Sequence, residues 1–292
     1  MKPAPFTLHR PTSLAEALDL LSTLGDDAKP LAGGQSLIPI LAMRLTRFDH
    51  LIDLNLVEEL SGITRDGESI VIGAMTRQAA IGADAVVDAE VPLLARATSE
   101  IGHFQIRSRG TIGGSLAHAD PAAEYPAVLL ALEASVKVTS VRGSRVVPAA
   151  ELFEAMWTTS IAPDEIIESV ILPTRTARNG SAISEITRRK GDFAMAGAVC
   201  TVSLSPDLTV QKCALGLFGV ASTPVRAFGA EQSIIGEPAD AVHCAGVADE
   251  AVGDLAPADD MHASSDDRTD MAAVAVQQSL RRALQDAMEK TA

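Results

Sequence analysis

The run Lys29-Pro30-Leu31-Ala32-Gly33-Gly34-Gln35-Ser36-Leu37-Ile38-Pro39 carries a short strand into two adjacent glycines and on into an apolar segment ending near Leu45. Some eighty residues later Gly110-Thr111-Ile112-Gly113-Gly114-Ser115-Leu116-Ala117-His118-Ala119-Asp120-Pro121 repeats the device. Glycine has no Cβ and adopts positive φ without penalty, so a strand that ends in Gly-Gly can turn successive N–H groups toward an anion. Each pair follows an apolar residue, Ala32 or Ile112, and precedes polar side chains, Gln35-Ser36 or Ser115, able to add hydrogen bonds. One such pair is as readily a tight turn as a ligand site. Two together point to a phosphate-bearing ligand held without lysines.

The flanking pattern is mixed. Ser13 and Glu16 form a capping-box pair, followed at helical spacing by Leu14, Ala17, Leu18, Leu21 and Leu24, with Gly25 at the C-terminal cap, which predicts a helix over 13–24. Strands are expected over 51–54, 69–74 and 165–172, and a hairpin over 135–147 around Arg142-Gly143-Ser144-Arg145. Helix is expected over 81–101, with Pro92 opening a second segment, and over 126–132. The segment 173–181 reads as a linker, beyond which 182–187, 194–204 and 209–220 suggest a three-stranded antiparallel meander and 271–288 a long terminal helix.

A length of 292 residues favours more than one domain. The 47% hydrophobic and 21% charged composition is that of a globular chain, and aromatics are only 3%, so Ala, Leu, Val and Ile must build the core. A formal net charge of −14 opposes binding to a phosphate backbone, which sets nucleic acid aside. The amino terminus MKPAPFTLHRP has no apolar leader and no stretch is long enough for a bilayer span, so a cytoplasmic protein is expected. Cys200, Cys213 and Cys244 are too few and too scattered for a disulfide framework, a thiolate metal site or an iron–sulfur cluster. GxGxxG, the P-loop, HExxH and GxSxG are all absent, and no catalytic or metal-ligating constellation is legible.

The segments AGGQSLIPILAMRL at 32–45, QIRSRGTIGGSLAHADPAAEYPAVLLAL at 105–132 and RRKGDFAMAGAV at 188–199 resemble the FAD-binding medium subunit of the molybdenum hydroxylases, the aerobic carbon monoxide dehydrogenase and xanthine dehydrogenase family. LGLFGVASTPVRA at 215–227 extends the likeness into the carboxy-terminal third. The resemblance implies an α+β fold: a two-lobed PCMH-type FAD-binding domain, with lobes at 1–57 and 58–175, and a C-terminal flavoprotein domain at 180–292 with a small antiparallel sheet and helices. It implies that Leu31, Ala32, Gly33, Gly34, Gln35, Ser36 and Leu37 wrap the FAD pyrophosphate, with Lys29 at the loop edge and Thr111, Gly114 and Ser115 facing it from the second lobe. Glu124 would hydrogen-bond a ribose or ribityl hydroxyl, Ile101 and Leu172 would lie against the rings, and Lys190 would approach the isoalloxazine carbonyls. Phe193 stands where relatives often carry Tyr or Trp. On this reading Val at Gly33 or Gly114 would fill the space the pyrophosphate needs while the chain still folds.

What the resemblance implies for function is an electron-transfer subunit. A large subunit would carry the molybdenum cofactor, a small subunit two [2Fe–2S] clusters, and the whole would be a dimer of heterotrimers; an N-heteroaromatic substrate is favoured over carbon monoxide, a purine or an aldehyde. A self-sufficient flavin oxidoreductase akin to the peptidoglycan-precursor reductases, and a non-catalytic scaffold, are the other readings. The residues alone leave bland roles open: Lys190 in a basic run on a solvated face, Glu124 at a helix N-terminus, His118 and Asp120 as a satisfied loop pair, and His103 and Arg107 beside the flavin or a partner.

Overall fold

A computed structural model describes residues 2–290. Three main sheets follow one another along the chain, with a two-stranded ribbon, Phe153–Ala155 and Thr158–Thr159, beside the second. The first is parallel and three-stranded: His50–Asp53 lies between Thr7–His9 and Ala28–Leu31. The helix Leu14–Leu24 buries Ala17, Leu18 and Leu21, its spacing putting them on one face. Ser13 caps it by accepting the Glu16 N–H, and Gly25 ends it at φ 57°. The other half of the capping box is displaced by one residue, since Glu16 accepts from the Thr12 N–H and not from Ser13.

The second sheet is antiparallel. Its spatial order is Ile63–Asp66, Ser69–Gly73, Ile166–Pro173, Ser135–Ser140 and Gly143–Pro148. The helical stretch that follows Gly73 is more broken than its periodicity suggests: Gln78–Ala83, Ala85–Glu90 and Pro92–Glu100 are separate helices. Asp84 restarts the chain by accepting the Val86 and Val87 N–H groups, and Pro92 opens the third piece. The helix Glu124–Ala131 has all eight residues buried.

The third sheet runs in chain order through Asn179–Ile186, Ala196–Leu204, Val210–Phe218 and the two-residue strand Val225–Arg226. The expected meander therefore gains a fourth strand. The terminal helix, Ser265–Glu289, starts earlier than its apolar periodicity does, because Ser264 and Asp267 form a capping box ahead of the first apolar face. Helices Phe228–Ser233 and Cys244–Val252 complete this part.

The three layers share packing. Met75 and Ile166 of the middle layer join Leu18, Leu21 and Ile52 in the first core, while Val199, Ala214 and Phe218 of the third sheet join Tyr125, Ala127 and Leu130 in the middle core. On its other face the third sheet takes the long helix so closely that a Cβ built on Gly180 would collide with the backbone of Ala283 and Ala287. Gly180→Ala is expected to lower stability by about 1–3 kcal/mol, the ordinary cost of overpacking, read as a fall in the thermal unfolding midpoint.

Candidate cofactor site

The two glycine pairs, 80 residues apart in sequence, meet in the fold. Gly33 lies on the backbone of Arg109 and Gly110: a Cβ added to it would sit 2.8 Å from the Arg109 carbonyl carbon and 2.9 Å from Gly110 Cα. A Cβ on Gly114 would come within 3.2 Å of Ala32 Cβ and 2.8 Å of Thr111 Oγ1. The reason for glycine at 33 is thus contact between the lobes and not room for the pyrophosphate. A valine there would wedge the lobes apart, which corrects the expectation that the substitution leaves folding largely intact.

The two pairs are also built differently. Gly34 makes a true turn with φ 74°, whereas Gly113 and Gly114 lie within the helix Ile112–His118. That helix uses its first N–H groups internally: Gly113 donates to Ala74 O at 2.9 Å, Gly114 to the N-cap Thr111 Oγ1 at 3.1 Å and Ser115 to Thr111 O at 3.1 Å. The expected second turn is therefore a capped helix start whose amides are already spent. In the first loop the opposite holds. The N–H groups of Gly34, Gln35, Ser36 and Leu37 have no acceptor among the described residues. Four successive unspent amides, in a loop whose Ala32 lies against Gly114 of the facing helix, are a donor set of the kind that takes a phosphate.

Two residues that carried no motif hold this junction. Asn55 donates from Nδ2 to Ala32 O at 3.0 Å, and its Oδ1 accepts from Arg77, which also donates to Arg109 O. One guanidinium so ties both backbones of the Gly33 contact. Asp53, 9% exposed, accepts the Asn55 N–H at 3.1 Å and faces Arg10 at 3.7 Å. Gln35 closes the loop by donating to Gly33 O at 3.0 Å. Lys29 is exposed, with Nζ 6.0 Å from the Phe48 ring centroid.

The ring-side candidates gather where the middle and third layers meet. Ile101 follows the helix Pro92–Glu100, and Arg107 braces that turn by donating to Ile101 O at 2.8 Å and Gly102 O at 3.0 Å. The 188–193 loop reaches it from the third sheet, since a Cβ on Gly191, at φ 88°, would strike the His103 ring. Lys190 and Phe193 are exposed there. Glu124 opens its helix only 7% exposed, and its carboxyl is hydrogen-bonded by its own backbone N–H. Burial, with the charges of Glu185, Glu100 and Asp120 added, pushes its pKa up to about 8. Glu185 Oε2 is buried with no partner among the described residues. Leu172 departs from its expected place: it is wholly buried and pairs with Ile70 in the middle sheet, so its side chain belongs to the core and not to a ring surface. His118 stacks on Trp157 at 6.2 Å, and Asp120 accepts from Ala122 N–H and Trp157 Nε1, a satisfied loop cluster.

Unspent amides in the Gly34–Leu37 loop and buried carboxyl groups at Glu124 and Glu185 suit a ligand with a diphosphate and a polyhydroxyl chain. Comparison with known proteins gives that ligand class a name. Residues 4–175 match the FAD binding domain in molybdopterin dehydrogenase, and residues 181–283 match the CO dehydrogenase flavoprotein C-terminal domain. The chain belongs to this family of flavoprotein subunits of molybdenum-containing oxidoreductases. It is 40% identical to the 6-hydroxypseudooxynicotine dehydrogenase complex subunit alpha of Paenarthrobacter nicotinovorans, over 97% of this chain and 96% of that one. Among solved structures, carbon monoxide dehydrogenase from Hydrogenophaga pseudoflava superposes with a TM-score of 0.95 at 37% identity, covering 98% of this chain and 99% of the other. Quinoline 2-oxidoreductase from Pseudomonas putida 86 gives 0.94 at 32% identity, covering 99% and 100%. No helix among the described residues is long and apolar enough to cross a membrane.

Glu124 links the site to stability. Its folded pKa of about 8 lies above the ordinary 4.5, so folding favours the protonated form. The stabilisation is complete below about pH 4.5 and is lost as the pH rises through 8. Glu124→Gln carries no such loss. Its thermal midpoint without added flavin is expected to exceed that of the parent at pH 8 and to converge with it near pH 4.5.

Proposed function

We propose that this chain binds FAD across the crevice and serves as the electron-transfer subunit of a molybdenum hydroxylase complex. In that complex a small subunit with two [2Fe–2S] clusters supplies the electrons and a large molybdopterin-binding subunit oxidises the substrate. The observation that carries the reading is the run of unspent amides from Gly34 to Leu37, seated on the Gly33–Gly110 contact. Bound FAD supplies the step between one-electron donors and a two-electron acceptor.

The residues divide the work by position. Amides of Gly33 to Leu37 hold the diphosphate, with Leu31 and Ala32 shaping the approach and Lys29 adding positive charge at the edge. Ser115 offers a hydroxyl, while Thr111 and Gly114 keep the facing helix start in place and close to Ala32. Glu124 accepts from a hydroxyl of the sugar chain. Ile101 excludes water from the ring edge, and Lys190 and Phe193 close over it from the third layer. A cation at Lys190 favours negative charge on the ring carbonyls.

The substrate favoured is an N-heteroaromatic compound, supported by the names of the nicotine-derivative and quinoline enzymes to which the chain is similar. The family resemblance favours a dimer of heterotrimers, which mass measurement on the complex purified through a tag on this chain tests directly.

The first test is optical. Purified full-length chain offered excess FAD is expected to show a flavin spectrum that survives gel filtration, one flavin per chain; folded protein without it overturns the reading. The second test weighs the geometry of the loop. Arg77→Met removes the tie to Arg109 O and Asn55 and is expected to weaken FAD affinity by about tenfold or more, since a charged hydrogen bond contributes about 1.5–3 kcal/mol. Titration of flavin fluorescence reads it.

A further inference from the structure

Resting on the FAD reading, we propose that Glu185 takes up a proton when the bound flavin is reduced, so that the protein as well as the ring neutralises the incoming electrons. Glu185 is the penultimate residue of the strand Asn179–Ile186. Its neighbour Ser184 faces the long helix and donates to Gln278 Oε1 at 2.9 Å, while Ile183 packs against the middle core. Strand alternation puts Glu185 on the Ile183 side, facing the middle lobe. There it meets Glu100, the last residue of the helix Pro92–Glu100, and Glu124, the first residue of the helix Glu124–Ala131.

No cation among the described residues forms an ion pair with this group. Arg96, on the nearest helix, is taken by Asp286 at 3.0 Å and by the Ser181 carbonyl; Arg107 is spent on the carbonyls of Ile101 and Gly102. Asp120 adds a further negative charge toward Glu124. Arg188, Arg189, Lys190 and Asp192 lie in the exposed part of the adjoining loop, and His103 sits against Gly191 at the crevice mouth. On the far face of the strand Arg282 and Asp286 belong to the long helix, where Asp286 accepts the Ser181 N–H at 3.0 Å. Glu185 Oε2 is thus a buried acceptor without a donor, between two other carboxyls.

Three carboxyls that act on one another, one of them buried, cannot all be ionised cheaply. Burial and the charge of Glu100 push the Glu185 pKa to about 7, while Glu124 stays protonated to about 8. Glu185 is therefore a member whose proton site is partly open at neutral pH. Reduction adds two electrons and one proton to the flavin ring, leaving one net negative charge beside this group. That charge raises the proton affinity of Glu185, and a second proton from solvent converts its carboxylate to the acid. The balance is two electrons from a one-electron iron–sulfur donor, one proton to the ring and one proton to Glu185.

The experiment is a spectroelectrochemical titration of the FAD-loaded full-length chain, wild type and Glu185→Gln, between about pH 5 and pH 9. In the wild type the midpoint potential is expected to fall more steeply with pH, with a change of slope near pH 7. In Glu185→Gln that change of slope is lost: the two curves merge at low pH, and the variant has the higher potential at high pH. Glu100→Gln is the second variant, and it shifts the wild-type change of slope to lower pH. Parallel curves for wild type and Glu185→Gln, both with flavin bound, overturn the proposal, as does an unmoved slope change in Glu100→Gln. Absence of flavin from the wild type is a different failure and removes the FAD reading itself.

Discussion

Backbone touching backbone at Gly33 and Gly110 sets the geometry of the crevice. No side chain fits between them, so the first and second layers approach at a fixed distance, and the chain then has to supply hydrogen bonds for the carbonyls exposed on either side. Arg77 and Asn55 do so from opposite lobes, one taking Arg109 O and the other Ala32 O, and they join through Asn55 Oδ1. Because both lobes also share Met75 and Ile166 in one core, the junction is stiff. A stiff junction is what a donor loop needs, since amides held in place before a ligand arrives cost no ordering entropy on binding.

A chain of net charge −14 can present donors to an anion here without a cluster of lysines. Peptide dipoles achieve it locally, and only where N–H groups are left unspent. The first loop leaves four; the helix start at Ile112 leaves none at Gly113, Gly114 or Ser115, because it rests on the end of the strand Ser69–Gly73, where Ala74 O takes the Gly113 amide. The two lobes so play unequal parts. The first has main-chain donors to offer, and the second a capped helix start packed on Ala32.

Much of this was legible in the residues. Ser13, Gly25 and Pro92 mark helix ends through local chemistry, and the hairpin at 135–147 and the meander beyond 181 follow from alternation. The second glycine pair was misread as a turn for an equally local reason: two glycines cost helix propensity of about 1 kcal/mol each. Packing overrides that cost, since a Cβ on Gly113 would strike Ala74 and one on Gly114 would press on Ala32. Asn55 and Arg77 were invisible, being single polar residues whose partners are carbonyls, which leave no trace in a sequence. Leu172 was assigned to the ring surface through resemblance alone. Its burial pattern, alternating along Ile166–Pro173, places it in the sheet core.

The third layer reaches the site through the helix Glu124–Ala131. That helix has no solvent face, so its orientation is fixed only by what packs around it and by what caps its ends. At its C-terminal end Arg226 donates to Leu130 O at 3.0 Å, where a cation also suits the helix dipole. Arg226 is held in turn by Glu231, 1% exposed, which accepts the Leu215 N–H at 2.8 Å. At the other end stands Glu124. The buried ion pair of the third layer is thus coupled, through about 12 Å of rigid helix, to the carboxyl at the cofactor crevice. The third layer so also determines where Glu124 sits.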